Sequence, residues 1–186
     1  LTSFDSNGFT AGGGYETGRS GIDYVAWCWK AGGTASSNTD GTITSSVSAN
    51  TTYGFSTATF TTPSSGTFTF GHGLTAAPKL IIVKARNQSY SWSVYAEPIG
   101  NDKYLVLNTS AAQATSSIWN DTTPTSSVVH GNASNFGTST DYIAYCWSEV
   151  AGFSKFGSYS GASNLKITTG FKPRYILIKC SSDSGF

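Results

Sequence analysis

Along much of this chain apolar and polar positions alternate with a period of two, the pattern of a β-strand with one face buried. In "TFTFGHGL" (67–74) Phe68 and Phe70 fall on one face before Gly71 and Gly73 interrupt the run. "SWSVYAEP" (91–98) sets Trp92, Val94 and Ala96 on one side and Tyr95 on the other. "KYLVLNT" (103–109) follows a "GND" turn, so 91–109 is expected to be a hairpin. "KLIIVKA" (79–85) is apolar on both faces between charged ends and reads as a central strand. "SSVVHG" and "DYIAYCW" add two more strands. In "DYIAYCW", Tyr142, Ala144 and Cys146 share one face while Ile143, Tyr145 and Trp147 share the other. Both faces are apolar or aromatic, as expected deep in a two-sheet stack or against a neighbouring subunit. Only "SAAQATSSIW" (110–119) has room for a helical turn. Many short strands with Gly-rich turns predict an all-β fold, a β-sandwich of jelly-roll-like kind.

The strands recur. "DYVAWCW" (23–29) and "DYIAYCW" (141–147) are nearly the same seven letters. "APKLIIVKARN" (77–87) matches "KPRYILIKCSS" (172–182) in one register, and "YGFSTATF" (53–60) matches "AGFSKFGSY" (151–159). The chain therefore reads as the end of one unit (1–30), a complete β-sandwich unit (53–150) and the beginning of another (151–186). Two readings of this order stand open. The chain is a window on a tandem array, or its terminal segments complement each other and form part of a second sandwich. Residues 31–52, "AGGTASSNTDGTITSSVSANTT", are small and polar around an "NTDG" turn signal. They are expected to be a linker or exposed loop, with "TITSSVS" a candidate short exposed strand. In either reading Asp23, Tyr24, Trp27, Cys28 and Trp29, with Asp141, Tyr142, Tyr145, Cys146 and Trp147, are the structural core of the repeat.

Composition narrows the function. The 11 basic and 10 acidic side chains leave a net charge of +1, so a nucleic-acid role has little electrostatic support. The apolar runs are too short to cross a bilayer as helices. The three cysteines, Cys28, Cys146 and Cys180, cannot all pair within the chain and read as buried thiols. The first residue is Leu and "LTSFDSNGFT" lacks signal-peptide character, so the chain reads as an excerpt or a processed product.

Candidate chemistry is sparse. His72 and His130 each sit beside Gly without metal-ligand spacing to Cys, Asp or Glu, and read as structural or surface residues. No metal or cofactor is expected. Asp23 and Asp141 precede the motif tyrosines, where a carboxylate can fix the start of a strand. Glu97, Asp102 and Asp121 would make a glycosidase pair only if folding brought two of them together, and no catalytic residue is assigned. The best cluster for recognition is Trp92, Tyr95, Tyr104 and Trp119, whose rings could stack on sugars beside Asn108, Asn120 and Asp121. Five matches to the N-glycosylation pattern, at Asn50, Asn87, Asn108, Asn120 and Asn132, matter only after a eukaryotic secretory route.

"YVAWCWKAGG", "SNTDGTITSSVSANTTYGFS", "GHGLTAAPKLIIVKARN", "KYLVLNTSAA", "DYIAYCW" and "GFSKFGSYSG" together resemble a repeated domain of uncharacterised function. That domain occurs in large structural and tail-fibre-like proteins of marine and aquatic tailed bacteriophages, and the resemblance runs from about Phe4 to Lys179. It implies a virion protein, a tail fibre or similar appendage folded in the host cytoplasm, which suits free cysteines. Its implied partners are other copies of itself, by analogy a homotrimer, and a host-surface glycan, with neither nucleic acid nor membrane insertion. The family carries no agreed catalytic residues to transfer. The expected function is a structural and adhesive module. The alternatives are a carbohydrate-binding domain, a glycan-cleaving enzyme, and the same module on an extracellular adhesin.

Overall fold

The double-faced apolar strand expected at 141–147 forms, and the sheet is built around it. The computed structural model describes residues 1–15 and 17–184. Twelve strands are described: β1 (Ser3–Asp5), β2 (Gly8–Thr10), β3 (Ser36–Asn38), β4 (Ser45–Asn50), β5 (Phe55–Thr61), β6 (Thr67–Gly71), β7 (Leu80–Ala85), β8 (Ser93–Ala96), β9 (Lys103–Val106), β10 (Ala114–Thr115), β11 (Val128–Asn132) and β12 (Asp141–Trp147). Eight of them make one sheet in the order β10-β9-β8-β7-β12-β5-β4-β3, while β1-β2 and β11-β6 form separate ribbons. Every paired strand runs antiparallel to its neighbour. The fold is thus nearly all β, and β12 lies between β5 and β7 with Ala144 opposite both Ala58 and Val83.

The alternation read from sequence sets the two faces. Tyr142, Ala144 and Cys146 point to a core shared with Ala58, Phe60, Ile81, Val83 and Tyr95. Over them lie Phe68 and Phe70 of β6, Val129 of β11, a 3-10 turn at Ser117–Trp119 and the one-turn helix α1 (Ala133–Phe136). Phe60 stacks on Phe70 at 4.1 Å, and Phe136 meets Tyr142 edge-on at 5.2 Å. Such aromatic contacts add to the area removed from water. The Tyr142 hydroxyl donates to the Phe136 carbonyl and ties α1 to the sheet. Cys146 is fully buried, and burial pushes its thiol pKa up to about 12. It is a small hydrophobe here rather than a nucleophile.

Three sequence expectations are met differently. Residues 31–52 are not a loose linker, since they supply β3 and β4 to the main sheet. Val47 enters the core, and the hydroxyls of Ser45 and Ser48 donate to the carbonyls of Gly71 and Gly33, both at 2.7 Å. A segment this polar can be buried because its side chains find backbone acceptors. The first motif copy does not form the strand expected of it. Residues 23–29 are exposed and outside any strand, Cys28 included. β12 is held by ladders on both sides, whereas among the described residues no ladder flanks 23–29. Residues 151–184 likewise hold no strand, and Cys180, expected to be buried, is exposed.

His72 is fully buried and defines its own tautomer. The Leu74 N–H donates to Nδ1 at 3.2 Å, so Nε2 carries the proton and donates to the Thr125 carbonyl, also at 3.2 Å. Burial lowers its pKa below the ordinary 6.5, against smaller upward pulls from the Thr125 hydrogen bond and Asp40. Between that lowered folded value and 6.5 the unfolded chain binds more protons, so folding stability must fall as pH drops below 6.5. The urea midpoint is expected to decline from pH 7.5 to 5.5 most in wild type, less in His130→Gln, since burial lowers that imidazole's pKa too, and least in His72→Gln. An equal decline in all three would show that another group is responsible.

Candidate functional site: the outer aromatic face

The second face of β12 builds the surface of most chemical interest. Tyr145 and Trp147 are half-buried on the side of the sheet away from the main core, beside Leu80, Ile82, Val94 and Leu105. The Trp92 ring lies nearly parallel to Tyr145 at 6.3 Å, and Tyr145 nearly parallel to Trp147 at 6.4 Å. Phe55, opposite Trp147 in the ladder, adds a ring at 5.0 Å. Trp29 of the first motif packs on this end, 5.8 Å from Trp147 and 6.3 Å from Phe55. The two motif copies therefore meet at equivalent positions.

The recognition residues expected from sequence do not form one site. Trp92 lies on the outer row, with its backbone N–H donating to Asn108 Oδ1 at 2.9 Å. Tyr95 and Trp119 are brought together, edge-on at 5.7 Å, but inside the core and with no ring face open to solvent. They are removed from the glycan-contact set by burial. Burial, then the Glu97 charge, raises the Tyr95 pKa to about 12. Tyr104 is half-buried against the same core. Asp121 is exposed in a left-handed turn with φ 47°. From sequence Tyr145 and Trp147 read as structural residues of the repeat, although their alternation with Tyr142 and Cys146 is the signal for a second aromatic face.

The carboxylates serve other ends. Glu97 pairs with Lys79 and Asp102 with Lys103, each at 3.0 Å. The Lys103 hydrogen bond holds the Asp102 carboxyl below its usual range, opposite to the shift a general acid needs. Asp141 accepts from Thr61 Oγ1 at 2.7 Å and from Asn87 Nδ2 at 3.3 Å, while its own N–H donates to Asn87 Oδ1 at 3.1 Å. It thereby clamps the end of β5 and the loop after β7 to the start of β12. Beside it lies a shallow depression of about 330 Å³ whose lining includes Ser37, Thr44, Ser46, Thr59, Thr61 and Arg86. Asp141→Ala should cost about 1–3 kcal/mol in urea unfolding, the range for a charged partner lost from hydrogen bonds. A loss within a few tenths would mean the clamp is energetically idle. Among the described residues, no group of three or more His, Cys, Asp and Glu side chains is placed to hold a metal ion, and no helix is long and apolar enough to cross a membrane.

Fold and surface together define an all-β protein organised on one eight-stranded antiparallel sheet with an aromatic outer face. The chain belongs to the family described as a domain of unknown function (DUF7483), which matches residues 1–185. No curated protein and no solved structure matches it.

Proposed function

We propose that this chain is a structural and adhesive module of a bacteriophage virion appendage, a tail fibre or similar, built from jelly-roll-like units in tandem. The observation that carries the reading is the 5.8 Å packing of Trp29 on Trp147. Equivalent positions of two repeat copies use their aromatic ends to join units rather than to line a cleft. Repeating a rigid β-unit adds length without a new design, and the motifs quoted above resemble those of phage appendage proteins. In this reading the partners are further copies of the protein, a homotrimer by analogy with other fibres, and the host surface. The test is immunogold microscopy on purified virus particles from the source culture, with antibody raised to the chain. Gold on tail appendages is the expected result. Particles without gold, while cell fractions of the same culture label, would remove the virion assignment.

A second reading, carbohydrate binding, is favoured by the Trp92–Tyr145–Trp147 row, since half-exposed rings in series suit stacking on sugar faces. Affinity electrophoresis through gels containing host polysaccharide separates the two. Retardation of wild type that Trp92→Ala abolishes supports binding, and equal mobility with and without polysaccharide sinks it.

A further inference from the structure

Residues 24–29 and 175–180 repeat, position for position, two strands that lie side by side in the sheet. The first run repeats β12 and the second repeats β7. In the complete unit Tyr142 faces Ala85, Ala144 faces Val83, Cys146 faces Ile81 and Trp147 faces Leu80. Carried over, Tyr24 faces Cys180, Ala26 faces Ile178, Cys28 faces Ile176 and Trp29 faces Tyr175. The structure already brings the last two side chains together: the Trp29 and Tyr175 rings meet edge-on at 5.9 Å.

Other features of the complete unit recur in the terminal segments. Tyr24 donates its hydroxyl to an upstream carbonyl, that of Tyr15 at 3.0 Å, three residues before the position that matches the Phe136 acceptor of Tyr142. Gly152 has φ 74° where its counterpart Gly54 has φ 63°. A backbone hydrogen bond from the Gln113 N–H to the Ser181 carbonyl, and a side-chain one from Lys179 Nζ to the Thr109 carbonyl, hold the second run beside the chain that follows β9. Meanwhile Val25, Trp27, Ile176 and Ile178 are 82, 68, 65 and 64% exposed. An exposed apolar run of this kind marks a surface with a partner.

We propose that residues 24–29 and 175–180 of the same chain are each other's strand partners. They pair antiparallel in the β12–β7 register and found a second β-unit, joined to the first through Trp29 and Trp147. The same-chain partner follows from the Trp29–Tyr175 contact, and the family match spans both runs together. This pairing stands apart from the virion and glycan readings, because it concerns how the chain closes and not what it binds.

The register supplies its own test. The Arg86 N–H donates to the Asp141 carbonyl, which makes that facing pair hydrogen-bonded. Pair types alternate along an antiparallel ladder, so the Cys146–Ile81 pair is of the close, non-hydrogen-bonded type. Its counterpart, Cys28 and Ile176, is therefore within reach of a disulfide. In the full chain with Cys180→Ser, Ile176→Cys is oxidised mildly at low protein concentration, beside the one-residue slip Leu177→Cys. Peptide mass mapping and non-reducing gels report the linkage, and circular dichroism verifies that both variants keep the wild-type fold. Ile176→Cys is expected to link to Cys28 within one chain roughly tenfold faster than Leu177→Cys, since a slip by one residue turns the side chain to the opposite face. Three results would each overturn the proposal: a disulfide between two chains, which makes a second copy the partner; equal rates at 176 and 177; or no linkage in either folded variant.

Discussion

Trp119→Ala is expected to lower the unfolding free energy by about 3–5 kcal/mol, the range for truncating a large buried aromatic, and to leave the chain largely unfolded at moderate urea. Trp119 has no exposed surface, and it fills the space between the sheet and the elements laid over it. Its indole meets Tyr95 of β8 edge-on at 5.7 Å and Phe136 of α1 at 5.6 Å. Removing it empties the contact between two layers at once, and a sheet cannot collapse to refill a gap beneath it. Trp119→Phe should cost clearly less, because it retains the edge-on packing and removes an indole N–H for which the core supplies no acceptor. Urea unfolding followed by far-ultraviolet circular dichroism orders the variants as wild type, Phe, Ala. If Ala is lost by under 1 kcal/mol, well short of the core range, Trp119 belongs to a mobile surface and the glycan-contact role expected from sequence returns.

The same residue shows where sequence reading stops. Period-two alternation is enough to place β6 and β8, and runs apolar on both faces place β7 and β12; the pleat then sorts Phe68, Phe70, Tyr142 and Cys146 onto one face each, since a strand must send successive side chains to opposite sides. Trp119 lies in a non-periodic stretch beside Asn120 and Asp121, and by composition looks like a recognition loop. Its burial depends on a 3-10 turn capped by the Ser116 hydroxyl and closed by Asn120 at φ 53°. That geometry has no hydrophobic period to announce it. The strand in "TITSSVS" is legible as β4 but its burial is not, because the backbone carbonyls that satisfy Ser45 and Ser48 come from distant parts of the chain. The outer row was half legible. Trp92 is legible as an aromatic on one face of a short strand, but its alignment with Tyr145 and Trp147 requires the order β8-β7-β12, which only pairing defines. The exposure of 23–29 was illegible altogether, because its sequence is that of a good strand and only its ladder partners are missing beside it.

Gly131 yields the second large effect, and there the ordinary propensity argument predicts the wrong sign. Glycine inside a strand loses to alanine by about 0.5–1 kcal/mol in backbone entropy, so Gly131→Ala in β11 would be expected to stabilise. In the ladder, however, Gly131 faces Phe68 of β6, whose ring folds across the strand onto it. A Cβ at 131 would stand 2.5 Å from Phe68 Cζ and 2.9 Å from both Cε atoms. The ring has nowhere to retreat, being 2% exposed and held by Phe60 at 5.9 Å and Phe136 at 5.5 Å. Gly131→Ala should therefore cost about 1–3 kcal/mol, the usual penalty for overpacking a filled core. A double-mutant cycle isolates the cause: in a Phe68→Leu background the penalty should shrink by more than half, because the shorter side chain no longer covers the glycine. A Gly131→Ala variant as stable as wild type, or a penalty unchanged by Phe68→Leu, would show that the Phe68 ring is free to move and that the glycine is not reserved for it.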